Sequence, residues 1–153
     1  MTYKKIIKFI LLISWMSIIF YFSNQKADDS SKLSSGIIVK IAKTIAKDKI
    51  SKTEKEKILE KYVTLVRKSA HAFVYFVLAL IAFSFFKEFY GISKKTFFYT
   101  ILLCFCYSVS DEFHQLFIEG RSGEANDILL DTTSSAITTS INYKIRMLKR
   151  RKK

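Results

Sequence analysis

No residue of this chain is proline, and only two are cysteine and two histidine. Without proline, a kink in any helix needs another cause. Cys104 and Cys106 stand two apart, and residues at i and i+2 of a helix do not face each other. No disulfide framework is implied, and both read as buried free thiols. No G-x-S-x-G, P-loop or G-x-G-x-x-G occurs, which leaves ordinary soluble hydrolase and nucleotide chemistry without support. Acids are scarce too: 13 Asp and Glu stand against 26 Lys and Arg, a net charge of +13.

What is present is apolar sequence in blocks. A soluble fold spreads its apolar residues periodically through short elements, so blocks point to a membrane. Residues 9–25, 69–86 and 96–110 are uncharged, over 17, 18 and 15 positions. A fourth candidate, 128–143, is interrupted by Asp131 and is rich in Thr and Ser. A bilayer core of about 30 Å needs roughly 20 helical residues, with about 17 as the lower limit. The expected fold is therefore all-α: one integral membrane domain over 1–153, a four-helix transmembrane bundle. Its spans fall near 6–25, 69–86, 96–114 and 128–143, with a basic tail at 144–153. In a soluble protein this net charge would point to nucleic acid. Here no basic helix is separable from an apolar block, so the expected partner is anionic lipid and not nucleic acid.

The N-terminus, with Lys4, Lys5 and Lys8 before an apolar run, resembles a signal peptide. Its exit (Phe20, Tyr21, Phe22) is bulky and unlike a cleavage site, so it reads as an uncleaved first span. Seven of the last ten residues are Lys or Arg, and Lys87, Lys94 and Lys95 mark the connection at 87–95. By the positive-inside rule both termini are cytoplasmic. The twelve basic residues of 26–68 oppose this, diluted by six acids and by the weaker weight of long loops. Within that loop Ile37, Ile38, Ile41 and Ile45 lie opposite Lys40, Lys43 and Lys47. This pattern predicts an amphipathic interfacial helix. Ser51-Lys52-Thr53-Glu54 fits a capping box, opening a helix that runs through Ile58, Leu59, Tyr62 and Val66 into the second span.

In any four-span topology, the start of span two, the end of span three and the start of span four share one membrane face. Polar residues gather at those ends, and ionisable groups projecting from several helices toward one place mark a site. Arg67, His71 and Tyr75 stand at i, i+4 and i+8, a single stripe. Asp111, His114 and Gln115 share another face, with Glu112 a quarter-turn away. Gly120 permits a positive-φ turn, and Arg121 offers a planar fork for phosphate or carboxylate. Asp127 and Asp131 put two carboxylates on one face of span four. Asp131, one turn deeper, needs a partner: Arg67, Arg121 or a bound cation. Two histidines and four or five acids could ligate a divalent metal, but no H-E-x-x-H signature is present, so no metal or other cofactor is expected.

Four segments together resemble the VanZ-like family of small bacterial integral membrane proteins. They are Phe-Ser-Asn-Gln at 22–25, Arg-Lys-Ser-Ala-His-Ala-Phe-Val-Tyr at 67–75, Ser-Asp-Glu-Phe-His-Gln-Leu-Phe at 110–117, and Gly120-Arg121 followed by Asp127. By that resemblance Arg67, Lys68, His71 and Tyr75 match R-K-x-x-H-x-x-x-Y, and Asp111, Glu112 and Gln115 match D-E-x-x-Q. Asp131 departs from the pattern, standing where Asn is usual, and Ser134 and Thr138 stand where glycines often occur. The family's namesake is linked to low-level resistance to the glycopeptide teicoplanin, a phenotype and not a reaction.

Two function classes stay open. In the first, a non-enzymatic envelope protein binds an anionic lipid-linked or cell-wall precursor, or a glycopeptide, at the outer face. Arg67, Lys68 and Arg121 hold the anion, His71, Tyr75 and Gln115 orient it, and Asp111, Asp127 and Asp131 complete the site. In the second, a membrane-embedded enzyme hydrolyses or transfers a group of a lipid-linked substrate. Asp111 or Glu112 serves as general base and His71 or His114 as acid.

Overall fold

The computed structural model describes residues 2–25 and 52–151. Among them are four helices and no strand: α1 (Tyr3–Ser23), α2 (Lys52–Tyr90), α3 (Lys94–Gln115) and α4 (Ala125–Arg151). The amphipathic helix expected around 37–47 lies outside the described residues, as does Ser51 of the capping box. The continuity expected beyond that box is present, since α2 runs unbroken for 39 residues. Neither Gly nor Pro interrupts it, so nothing in its sequence competes with the i to i−4 ladder.

Gly91 ends α2 in the left-handed region at φ +63°, where glycine carries no Cβ penalty. Its N–H donates to the Lys87 carbonyl at 3.0 Å. Three residues later α3 begins, its first turn capped by Ser93, whose Oγ accepts from the Thr96 N–H at 3.3 Å. So short a connection folds α3 back antiparallel to α2. Likewise α4 does not stop near residue 143. It continues to Arg151, so most of the expected basic tail is helical.

α2 is the central helix, packing against all three others, whereas α1 and α4 make no contact. Leu12 and Ile19 of α1, Leu78, Ala79 and Ala82 of α2, and Cys104 of α3 form the apolar core. α1 is also fastened by polar contacts. The Trp15 indole donates to the Val74 carbonyl at 3.0 Å, and the Tyr107 hydroxyl to the Met16 carbonyl at 2.5 Å. Cys106, two residues from the buried Cys104, is exposed and not buried as the sequence reading held. A two-residue step turns a helix by about 200°, so the two thiols cannot share the core.

The inner faces of α3 and α4 are polar. α3 buries Thr96, Thr100, Cys104, Ser108, Asp111, Glu112 and Gln115, and α4 buries Asp127, Asp131, Ser135, Thr138 and Thr139. Each set recurs every three or four residues, one stripe of a helix. Large apolar side chains instead lie on the outside, among them Phe73, Phe105, Leu129 and Ile137. Two helical segments, Tyr3–Ser23 and Thr64–Tyr90, are long and apolar enough to cross a membrane. α3 and α4 fall short of that standard because their inward stripes are polar.

Candidate functional site

The site begins where α2 and α4 run side by side in parallel register. Lys68 Nζ donates to Asp127 Oδ1 at 2.6 Å and to Glu124 Oε2 at 3.1 Å. One turn deeper His71 Nδ1 lies 3.8 Å from Asp131 Oδ2. Another turn down, the Ser135 hydroxyl donates to the Tyr75 carbonyl at 3.3 Å, and beside it Ser134 donates to the Ala72 carbonyl at 2.7 Å. Small side chains on α4 let the helices approach closely enough for these bonds.

α3 closes the cluster from the other side. Ser108 Oγ donates to Asp131 Oδ2 at 3.0 Å. The Gln115 amide donates to Asp111 Oδ2 and to Glu112 Oε1, each at 3.3 Å. Glu112 Oε2 accepts the backbone N–H of Glu124 at 2.9 Å, tying the loop before α4 to α3. Gly123 permits that approach: a Cβ there would lie 2.7 Å from the Glu112 carbonyl oxygen. Gly120 turns the loop with φ +76°, the positive φ expected of it.

The end of α1 forms the rim. His114 stacks on Phe20 with ring centroids 4.6 Å apart, and its Nε2 is 3.3 Å from Asn24 Oδ1. Arg121 donates to the Phe22 carbonyl at 3.4 Å. All four helices thus contribute at one end of the bundle.

His71, Tyr75, Asp111, Gln115 and Asp131 come together as buried or half-buried groups. Asp127 is buried beside them but is engaged by Lys68. Three placements differ from the sequence reading. Lys68, not Arg67, continues the stripe of His71 and Tyr75. With about 100° of rotation per residue, Lys68 lies roughly 30° from the direction set by Tyr75, Leu78, Ala79 and Ala82, and Arg67 roughly 70° away. Arg67 lies 3.9 Å from Glu124. Second, Glu112 and not His114 joins Asp111 and Gln115, because by the same arithmetic Ser108, Asp111, Glu112 and Gln115 centre about 110° from His114. Third, Asp131 is partnered by Ser108 and faces His71, not an arginine.

The sequence reading missed Glu124 and Ser108. Glu124 precedes α4 in an irregular loop, where no periodicity assigns it a face. Ser108 lies inside an apolar block, and only its place one turn before Asp111 and Glu112 signalled a role. Four atoms of the cluster are buried without a hydrogen-bond partner: His71 Nδ1, Tyr75 Oη, Asp111 Oδ1 and Asp131 Oδ1. One ligand atom each from His71, Glu112 and Asp131 lies within 4.8 Å of the others. No linear metal signature announced this, because the three residues come from three helices.

These features define a small all-helical protein with two membrane-length apolar helices and a carboxylate–histidine cluster where its helix ends meet. The chain belongs to the VanZ/LLP1 family, whose model matches residues 8–146. No curated protein and no solved structure matches it significantly.

Proposed function

We propose that this chain is a four-span membrane protein of the bacterial cell envelope, with both termini cytoplasmic. Its outer-face site binds the anionic headgroup of a lipid-linked or cell-wall precursor. Altered access to such precursors then accounts for an effect on teicoplanin-type glycopeptides, in keeping with the family.

The exterior supports the membrane reading, since large apolar side chains are exposed on every helix while α3 and α4 bury polar stripes. A monomeric soluble protein rarely exposes so much contiguous apolar surface. Inward polar stripes of small residues are what helices packed in lipid use. Lys94, Lys95 and the run Lys149–Arg151 lie at the end away from the polar cluster, which supports a cytoplasmic assignment for that end.

Arg121 carries the ligand reading. It is half-buried in the loop at the mouth of the cluster, and its hydrogen bond to a neutral carbonyl at 3.4 Å is long. Burial first, and then the nearby charge of Arg67, push its pKa down, yet a guanidinium stays cationic in proteins. With Arg67 beside it, Arg121 offers a rim that a phosphate or carboxylate can join through paired hydrogen bonds. A separate apolar groove of about 370 Å³, lined by Met16, Leu102, Leu103, Cys106, Tyr107 and Ser110, lies on a face of α3 turned away from the cluster.

A specific observation favours the second reading, an enzyme acting on a lipid-linked substrate. His71 stands 3.8 Å from Asp131, and Asp111 keeps one oxygen free of hydrogen bonds. This suits general acid–base work by His71 with Asp111 or Glu112. His114, turned onto Phe20, has no part in it.

Native mass spectrometry of the protein extracted with its own lipids tests the binding reading. A phosphorylated lipid or wall precursor should be retained by the wild type and lost from Arg121→Ala. Equal retention by both would remove Arg121 from the site. Loss of cellular function in Asp111→Asn, with lipid still bound, would favour the enzyme.

A further inference from the structure

Three buried carboxylates, Asp111, Glu112 and Asp131, are 3%, 3% and 0% exposed. Among the described residues, no lysine or arginine forms an ion pair with any of them. Lys68, at the same end of the bundle, is taken by Asp127 and Glu124. Removing a carboxylate from water is costly unless its charge is compensated, and leaving a buried polar atom unpaired adds to that cost. Yet Asp131 Oδ1, Asp111 Oδ1, Tyr75 Oη and His71 Nδ1 are all buried without hydrogen bonds. The cluster has an excess of electron-pair donors, and the group facing Asp131 is His71, at 3.8 Å, positive only when protonated.

We propose that His71, Glu112 and Asp131 form a binding site for a divalent cation of the zinc type. One donor comes from each of α2, α3 and α4, and the three donor atoms lie within 4.8 Å of one another. Zn–N and Zn–O bonds of about 2.0–2.2 Å in tetrahedral geometry put ligand atoms about 3.4 Å apart. The 3.8 Å separation of His71 Nδ1 and Asp131 Oδ2 is already close to that, and a Glu112 oxygen lies within 4.8 Å of both partners. Imidazole selects zinc-like metals over magnesium and calcium, while the carboxylates supply the charge. Ser108, donating to Asp131, and Gln115, donating to Glu112, orient the ligands from behind, as outer partners do in metal sites. With three protein ligands the fourth position stays open. Asp111 Oδ1, water or an anionic oxygen can fill it.

The site does not depend on the anionic-ligand reading, because Arg121 takes no part in it. The test is metal uptake by the full-length, tag-free protein in detergent, stripped with chelator and titrated with Zn²⁺ alone by calorimetry, with metal content checked by mass spectrometry. The wild type should take up one Zn²⁺ per chain. Asp131→Asn and Glu112→Gln, near-isosteric changes that keep the hydrogen-bond geometry, should each weaken binding at least tenfold. His114→Ala, which alters the other histidine, and Arg121→Ala should bind as the wild type does. The second variant would still lose its lipid if the anion reading holds, so the two ideas fail separately. No uptake by the wild type, or uptake unchanged in both carboxylate variants, would overturn the proposal. If Asp131→Asn does not fold, Glu112→Gln decides alone.

Discussion

Lys68 and Asp127 form the shortest contact in the site, 2.6 Å, and their environments are unequal: the Asp127 side chain is 7% exposed and that of Lys68 32%. Removing the lysine strands a buried carboxylate, whereas removing the carboxylate frees a lysine that can turn toward water. Breaking a fully buried pair costs about 3–5 kcal/mol, and the exposure of Lys68 reduces this to an expected loss of about 2 kcal/mol for Lys68→Met. Asp127→Asn should cost less. The double variant should recover part of the loss, giving a coupling of about 1 kcal/mol in a double-mutant cycle of thermal or denaturant unfolding in detergent. Strict additivity would show that Glu124 alone satisfies Lys68. At this scale the sequence was legible in residue type and only partly in direction. Spacing marked His71, Tyr75, Asp111, Gln115 and Asp131 for one end of the bundle. It misjudged Arg67 against Lys68 and His114 against Glu112, because spacing defines a stripe without saying where on the circumference the neighbouring helix lies.

At the scale of elements, the long helices were legible from uninterrupted apolar runs and the absence of proline. α2 was readable as one helix because a plausible start stood far upstream of its apolar block. The polarity of the α3 and α4 inner faces was harder to place, since Thr and Ser within a span read equally well as packing or as weakness of the span. Only the partners decide: Ser134 and Ser135 bond to α2 carbonyls, and Ser108 to a carboxylate. The loop between α3 and α4 rests on glycine for two different reasons. Gly120 needs a positive φ, and Gly123 needs the absence of a side chain against Glu112. Gly123→Ala should therefore displace the loop, weaken the bond from the Glu124 N–H to Glu112 and cost about 1–3 kcal/mol, as overpacking does. Gly91→Ala meets no neighbouring atom and strains only the backbone, at a cost of about 1 kcal/mol. A thermal shift for Gly91→Ala as large as that for Gly123→Ala would contradict this account of the loop.

For the molecule as a whole, charge and polarity are sorted between the two ends. One end gathers Lys68, His71, Glu112, Arg121 and Asp131. The other carries Lys94, Lys95 and the basic end of α4, with the Lys8–Glu88 pair nearby at 2.5 Å. We propose that the first end forms a ligand site at the outer face of the membrane. Cysteine labelling in intact cells tests it most directly, in a background where Cys104 and Cys106 are replaced by Ala. Ser122 is exposed in the loop beside Arg121, and Lys149 is exposed near the end of α4. Ser122→Cys should react with a membrane-impermeant maleimide in intact cells, and Lys149→Cys only after the cells are opened. The reverse pattern would put the site on the cytoplasmic side, and labelling of both positions in intact cells would contradict the four-span arrangement itself.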